Sequence, residues 1–177
     1  AQQANGDSTV IIFFSGHGAR FVGSFSPGEY LCPFEATIDK PQETLISHVE
    51  FTTALRAINA GRVVVFFDCC HAGGIGESKD PTIHIESGLS EKSYSHLAEG
   101  KGRVIIASCR PDEVSWELAG MRNGLFTHYL LKGLQGNAAR DDGTVWMNNL
   151  FSYIYEHVSQ RTSQHPYLKY TGEDFPI

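Results

Sequence analysis

Three short stretches hold the side chains that can do chemistry. Ser15-Gly16-His17-Gly18 sets an imidazole between two glycines. Asp68-Cys69-Cys70-His71-Ala72-Gly73-Gly74 carries a carboxylate, two thiols and a second imidazole. Ser108-Cys109-Arg110-Pro111-Asp112-Glu113 adds a hydroxyl, a thiol, a guanidinium and two carboxylates. A thiol with an imidazole in reach suits nucleophilic acyl transfer, in which donors around the site hold the oxyanion. Cys70 can supply the thiol and His17 the base. Gly16 and Gly18 let the backbone approach a scissile carbonyl, and the amides of Gly18 and Cys70 are candidate oxyanion donors. Cys69 is a rival nucleophile. Alternation along a strand would point Cys69 and Cys70 in different directions, and the residues alone do not choose between them. A zinc site built from His17, Cys69, Cys70 and His71 is the weaker use of these side chains. The paired spacing of structural zinc motifs is absent, and no metal site is expected.

These stretches follow apolar runs. Val10-Ile11-Ile12-Phe13-Phe14 and Val63-Val64-Val65-Phe66-Phe67 are continuous and partly β-branched, and Val104-Ile105-Ile106-Ala107 is a shorter case. Such runs predict strands buried on both faces. Pro41 to Ile58 has helical spacing in Leu45, Val49, Ala54, Leu55 and Ile58, with Gly61 placed to stop it. Short helices are expected at Asp112 to Ala119, Phe126 to Leu134 and near Leu97. Met147 to Arg161 is the clearest helix, and Tyr167 to Tyr170 reads as a last strand. Buried strands with helical connections predict an α/β domain with a mostly parallel central sheet. Parallel sheets bind ligands beyond the carboxyl ends of their strands, so the three reactive stretches should meet at one sheet edge.

Composition narrows the function. The 177 residues suit one domain, large enough to bury a core without a metal or disulfide. Fourteen basic and 20 acidic side chains give a net charge of -6, and no basic run occurs. That argues against nucleic-acid and anionic-membrane partners. No apolar run reaches the roughly 20 residues of a membrane helix. Of the four cysteines, Cys32 and Cys109 stand apart, and Cys69 and Cys70 are neighbours that bridge each other only with strain. Unbridged cysteines predict a reducing, cytoplasmic setting.

The motifs resemble those of the caspase-like cysteine peptidases, more specifically the metacaspases. The histidine motif of that family matches Ser15 to Gly18. Its Asp-x-Cys-His-x-Gly motif matches Asp68, Cys70, His71 and Gly73. Tyr30-Leu31-Cys32-Pro33, Gly124-Leu125-Phe126-Thr127 and Gln164-His165-Pro166 also resemble family stretches. The resemblance implies a caspase-like layered sandwich with Cys70 as nucleophile, His17 as base and Cys69 at the variable position. It places Asp68 in the pocket for the residue before the cut. A carboxylate there attracts Arg or Lys, so the implied activity is endopeptidase cleavage of proteins or peptides after basic residues. Ser15 would add a hydrogen bond near that pocket. Ser108, Cys109 and Arg110 would begin the substrate-binding segment by backbone pairing. Asp112 and Glu113 either deepen the acidic pocket or open a helix, and Trp116 either lines a neighbouring subsite or packs in the core. The alternative reading is a latent or regulatory caspase-like domain acting through protein contacts.

Family members carry a strand and helix before the histidine strand, whereas Val10 comes soon after the first residue. The expectation is a single catalytic domain over residues 1–177, incomplete at its N-terminus, with an N-terminal fragment of the same protein as partner. Many metacaspases use calcium. The candidate acids here, Glu29, Glu77, Asp80, Asp141 and Asp142, do not assemble into six to eight oxygens, and no cofactor is expected. Lys79 and Lys92 are candidate self-processing positions in the long polar segment after Cys70.

Overall fold

Two apolar faces of one sheet organise the molecule. The computed structural model describes residues 3–22, 27–37, 40–69, 84–113, 115–116 and 120–177. The strands are β1 (Thr9–Val22), β2 (Gly28–Cys32), β3 (Ile46–Ser47), β4 (Arg62–Cys69), β5 (His84–Ser87), β6 (Arg103–Ala107) and β7 (Tyr167–Tyr170). They form a seven-stranded sheet in the order β3-β2-β1-β4-β6-β7, with β5 also pairing β1. The centre, β1-β4-β6, is parallel, while β2, β3, β5 and β7 join antiparallel. The parallel expectation thus holds for the three central strands.

Alternation along these strands builds two cores. Val64, Phe66, Val104 and Ile106 face α4 (Leu125–Lys132) and α5 (Met147–Ser159), packing on Phe126, Leu130, Leu150 and Ile154. Val63, Val65, Phe67, Cys69 and Ile105 face the other way, with Leu55 of α2 (His48–Arg56) and Tyr94 and Leu97 of α3 (Glu91–Leu97). Helices on both faces of one sheet make the layered α/β sandwich. Among the described residues, no helix is long and apolar enough to cross a membrane.

Several elements differ from the sequence expectation. The first strand does not stop at Phe14. It runs through the Ser-Gly-His-Gly stretch to Val22, because β2 pairs with His17 to Phe21 and β5 pairs with Ala19 to Val22. Nor is its first half buried on both faces. Val10, Ile12 and Phe14 pack on the second core, but Ile11 and Phe13 are half exposed on the other face. The helix expected at Pro41 to Ile58 is broken. The short α1 (Pro41–Thr44) ends before β3, and α2 starts afresh at Ser47. Ser47 accepts from the Glu50 amide while the Glu50 carboxylate accepts from the Ser47 amide, a capping box that restarts the helix. Gly61 does not cap a helix, since α2 ends at Arg56. A side chain at Gly61 would lie 2.0 Å from the Gly6 carbonyl oxygen, and one at Gly102 would lie 2.0 Å from that of Gly61. Three glycines therefore stack where β1, β4 and β6 begin. Residues 111–113 form a turn, and the expected helix is absent from the described part of Asp112 to Ala119. The α4 helix opens into a wider π turn at Gly133–Asn137, where Gly136 takes φ +111°.

Candidate active site

Register brings the sequence motifs together. Parallel pairing sets Ser15 beside Asp68 and Gly16 beside Cys69. Ser108 follows β6 directly, its amide donating to the Phe67 carbonyl (2.7 Å). The described parts of the three reactive stretches, with only Asp68 and Cys69 of the second, therefore lie side by side at one edge of the sheet. Cys70 and His71 fall outside the described residues.

His17 sits where β1 leaves β4 for β2, half-buried and directly across from Cys32. The glycines around it have steric reasons. A side chain at Gly16 would meet the Phe14 ring at 3.1 Å and the Cys32 carbonyl oxygen at 3.4 Å. One at Gly18 would meet the backbone of Gly88 at 3.1 Å. The Gly18 carbonyl also accepts from the Gly88 amide (2.8 Å). Burial pushes the Cys32 thiol up to about 11, so it stays protonated at neutral pH and is a poor nucleophile. Cys69 is also removed from chemistry, since it is 2% exposed and packs in the second core with Phe67.

Asp68 ends β4 and is buried. Ser115 donates to its Oδ1 (3.3 Å) and Thr127, in the first turn of α4, donates to its Oδ2. Gly124, just before α4, gives that helix room, because a side chain there would stand 3.3 Å from Oδ2. Ser15 is exposed beside this carboxylate.

The segment from Ser108 to Trp116 is fastened at Ser108, Cys109, Glu113, Ser115 and Trp116. Ser108 and Cys109 are each 1% exposed, and the Cys109 thiol donates to the Glu113 carbonyl (3.3 Å). Arg110 and Asp112 are exposed. The Glu113 carboxylate accepts from the His165 amide and faces His165 Nδ1, both at 2.7 Å. Its oxygens are thus taken by the chain before β7 rather than left open to a pocket. Trp116 is 46% exposed. Sequence reasoning marked Gln164 only as part of a family stretch. Its side chain bonds Ser108, Ser115 and Trp116, a role no spacing announces.

Two of the acids considered for calcium, Glu29 and Asp142, are engaged in other bonds. Both Glu29 oxygens accept from Ser90, from its amide (2.7 Å) and its hydroxyl (2.5 Å). Asp142 accepts from the hydroxyl and amide of Thr144, bonds that hold its carboxyl below the usual carboxylate value. Among the described residues, no group of three or more His, Cys, Asp or Glu could hold a metal ion. Glu77 and Asp80 lie outside them, as does Lys79. Lys92 lies within α3, not in a loop.

A helix-flanked sheet whose adjacent parallel strands bring the histidine stretch beside Asp68 and Cys69 at one edge has the architecture of the caspase clan of cysteine peptidases. The chain belongs to the caspase domain family (peptidase C14), whose profile matches residues 1–173. Among solved structures, it is similar to the crystal structure of caspase-1 from Spodoptera frugiperda, at 14% identity and a TM-score of 0.46. The match covers 92% of this chain and 57% of that one, so the chain spans little more than half the length of its solved relative. No curated protein matches.

Proposed function

We propose that this domain is a metacaspase-like cysteine endopeptidase that cuts after Arg or Lys, with Cys70 and His17 as its dyad. The observation that carries the reading is the β1–β4 register, which lays Ser15 beside Asp68. In the sequence His17 follows Ser15 by two residues, and Cys70 follows Asp68 by two. Two further facts support Cys70 as the nucleophile. Cys69 belongs to the core, and Cys32 holds its proton.

In this mechanism His17 takes the Cys70 proton, and the thiolate attacks the scissile carbonyl. The amides of Gly18 and Cys70 are the candidate donors to the oxyanion. His17 then gives the proton to the leaving amine, and water hydrolyses the thioester. The Asp68 carboxylate holds the cationic side chain before the cut, with Ser15 at the rim. Of the segment expected to pair with the peptide backbone, Arg110 is exposed to do so, while Ser108 and Cys109 are buried and hold it in place, and Asp112 and Glu113 close it. Self-processing in the segment after Cys70, at Lys79, belongs to the same reading.

The partner is an N-terminal segment of the same protein. From Thr9 to Gly16, β1 pairs only with β4 among the described strands, and the Ile11 and Phe13 face beside that open edge is half exposed. An added strand with its helix would cover both.

Turnover of fluorogenic peptides ending in Arg, Lys or Asp tests the function. Arg and Lys peptides should be cleaved by the chain and not by its Cys70→Ala variant. Equal or better cleavage after Asp would overturn the specificity.

A further inference from the structure

Gln164 lies three residues before β7 and is entirely shielded from solvent (0% exposed). Its Oε1 accepts from the Trp116 amide (2.9 Å). Its Nε2 donates to the Ser108 carbonyl (2.7 Å) and to Ser115 Oγ (3.3 Å). One side chain therefore holds both ends of the Ser108 to Trp116 segment. Trp116 is held from its other side too, its carbonyl accepting from the Leu125 amide at the start of α4 (3.0 Å).

These partners fix the amide's orientation. Trp116 offers a donor and Ser108 an acceptor, so oxygen must face the first and nitrogen the second. That orientation has a consequence one bond further on. The Ser115 hydroxyl accepts from Nε2, which directs its own hydrogen to Asp68 Oδ1 (3.3 Å). An aspartate or a leucine at position 164 could not impose that polarity. The neighbouring His165 braces the same segment through its two contacts with Glu113.

We propose that Gln164 is a positioning residue for substrate selection: it holds the Ser108 to Trp116 segment against the Asp68 carboxylate and orients Ser115 toward it. This rests on the peptidase reading above and adds to it the residue that sets the pocket's shape. Gln164 touches no reacting atom and acts through Ser115 and the segment it holds.

The test uses the full chain, with Gln164→Glu, Gln164→Met and Ser115→Ala. Glu keeps the acceptor for Trp116 and loses both donations. Ser115→Ala removes the link to Asp68 and the Gln164 donation to Ser115, and leaves the Gln164 bonds to Ser108 and Trp116 in place. It loses one small side chain, so it folds even where a position-164 variant does not. Kinetics are compared for an arginyl peptide and its citrullyl analogue, which has the same shape without the charge, per active site titrated. The expected result is a rise of about 10-fold in KM for the arginyl peptide in Gln164→Glu and Ser115→Ala, the loss of one hydrogen bond aligned with a charged group. KM for the citrullyl peptide and kcat per titrated site should not change. Fewer titratable sites, with both KM values at the parental level, would mean structural support alone and would overturn the proposal. Hydrogen exchange at the Trp116 amide is read alongside. It should speed up about 10-fold or more in Gln164→Met, and an unchanged rate overturns the holding role whether or not the chain cleaves peptides. A parental chain that cleaves no arginyl peptide overturns the peptidase reading and the claim on selection with it, leaving the exchange rate to decide the holding role alone.

Discussion

At the scale of single residues, hydrogen-bond capacity decides what Asp68 can do. A carboxylate has about four acceptor positions. Ser115 donates to one oxygen and Thr127 to the other, which fixes the plane of the group. A carboxylate so oriented suits a forked guanidinium. Asp68→Asn keeps the shape and loses the charge. It should lower kcat/KM for arginyl peptides roughly 30-fold or more, as removing one partner of a buried charge pair does. Unchanged kcat/KM in steady-state assays would refute the role. Thiol reactivity gives a second residue-scale prediction. Burial holds the Cys32 thiol at about 11, so iodoacetamide at neutral pH should leave Cys32 unmodified while it labels Cys70. Cys32 should react only as the pH climbs toward 11, as peptide mass mapping would show. A histidine between glycines and a cysteine pair after an apolar run are chemically unusual, which made them candidates in the sequence; the choice of Cys70 over Cys69 came from the family resemblance. Gln164 was not legible there, because its role depends on three partners that only the fold brings near.

At the scale of elements, the apolar runs announced β4 and β6 correctly, since both are covered on two faces. The same pattern misread β1. Gly16 and Gly18 have low strand propensity, and what keeps that segment extended is pairing from β2 and β5, a tertiary effect. The break between α1 and α2 had a visible signal in Ser47 and Glu50, whose spacing is that of a capping box. The regular apolar positions around it outweighed that signal. Ser47→Ala should cost about 1 kcal/mol in chemical denaturation. Where α2 meets α3, the His48 and His96 rings lie 5.7 Å apart. Burial, first of all, holds His48 below its ordinary 6.5. Among the charged groups facing it, Glu29 raises the value, and His96 and Arg56 lower it. The folded state therefore favours neutral His48. Its contribution is complete above pH 6.5 and is lost as the pH falls below that value. The melting temperature should drop on acidification from pH 7 to pH 5, and His48→Gln should flatten that drop. An identical profile in the variant would place the acid sensitivity elsewhere.

At the scale of the whole molecule, one sheet separates two cores, and its uneven cover explains both the site and the open flank. The α4 and α5 layer covers β4 and β6 and brings Thr127 to Asp68, while Ile11 and Phe13 on β1 stay half exposed. The stacked glycines at the other end of the strands set how closely β1, β4 and β6 can start. Gly102 takes φ +75°, and a methyl group there would meet the Gly61 carbonyl. Gly102→Ala should destabilise the whole fold by about 3 kcal/mol or more in denaturant unfolding. The double change Ile11→Lys and Phe13→Lys should leave the stability of this chain nearly unchanged and abolish binding of an N-terminal segment supplied separately. The central claim is that Cys70 is a nucleophile served by a pocket for basic side chains. Intact mass and peptide mapping after treatment with matched arginyl and aspartyl chloromethyl ketone peptides test it most directly. One adduct, on Cys70, is expected from the arginyl reagent and none from the aspartyl one. An adduct from the aspartyl reagent, an adduct on Cys69 or Cys32, or no adduct from either reagent would contradict it.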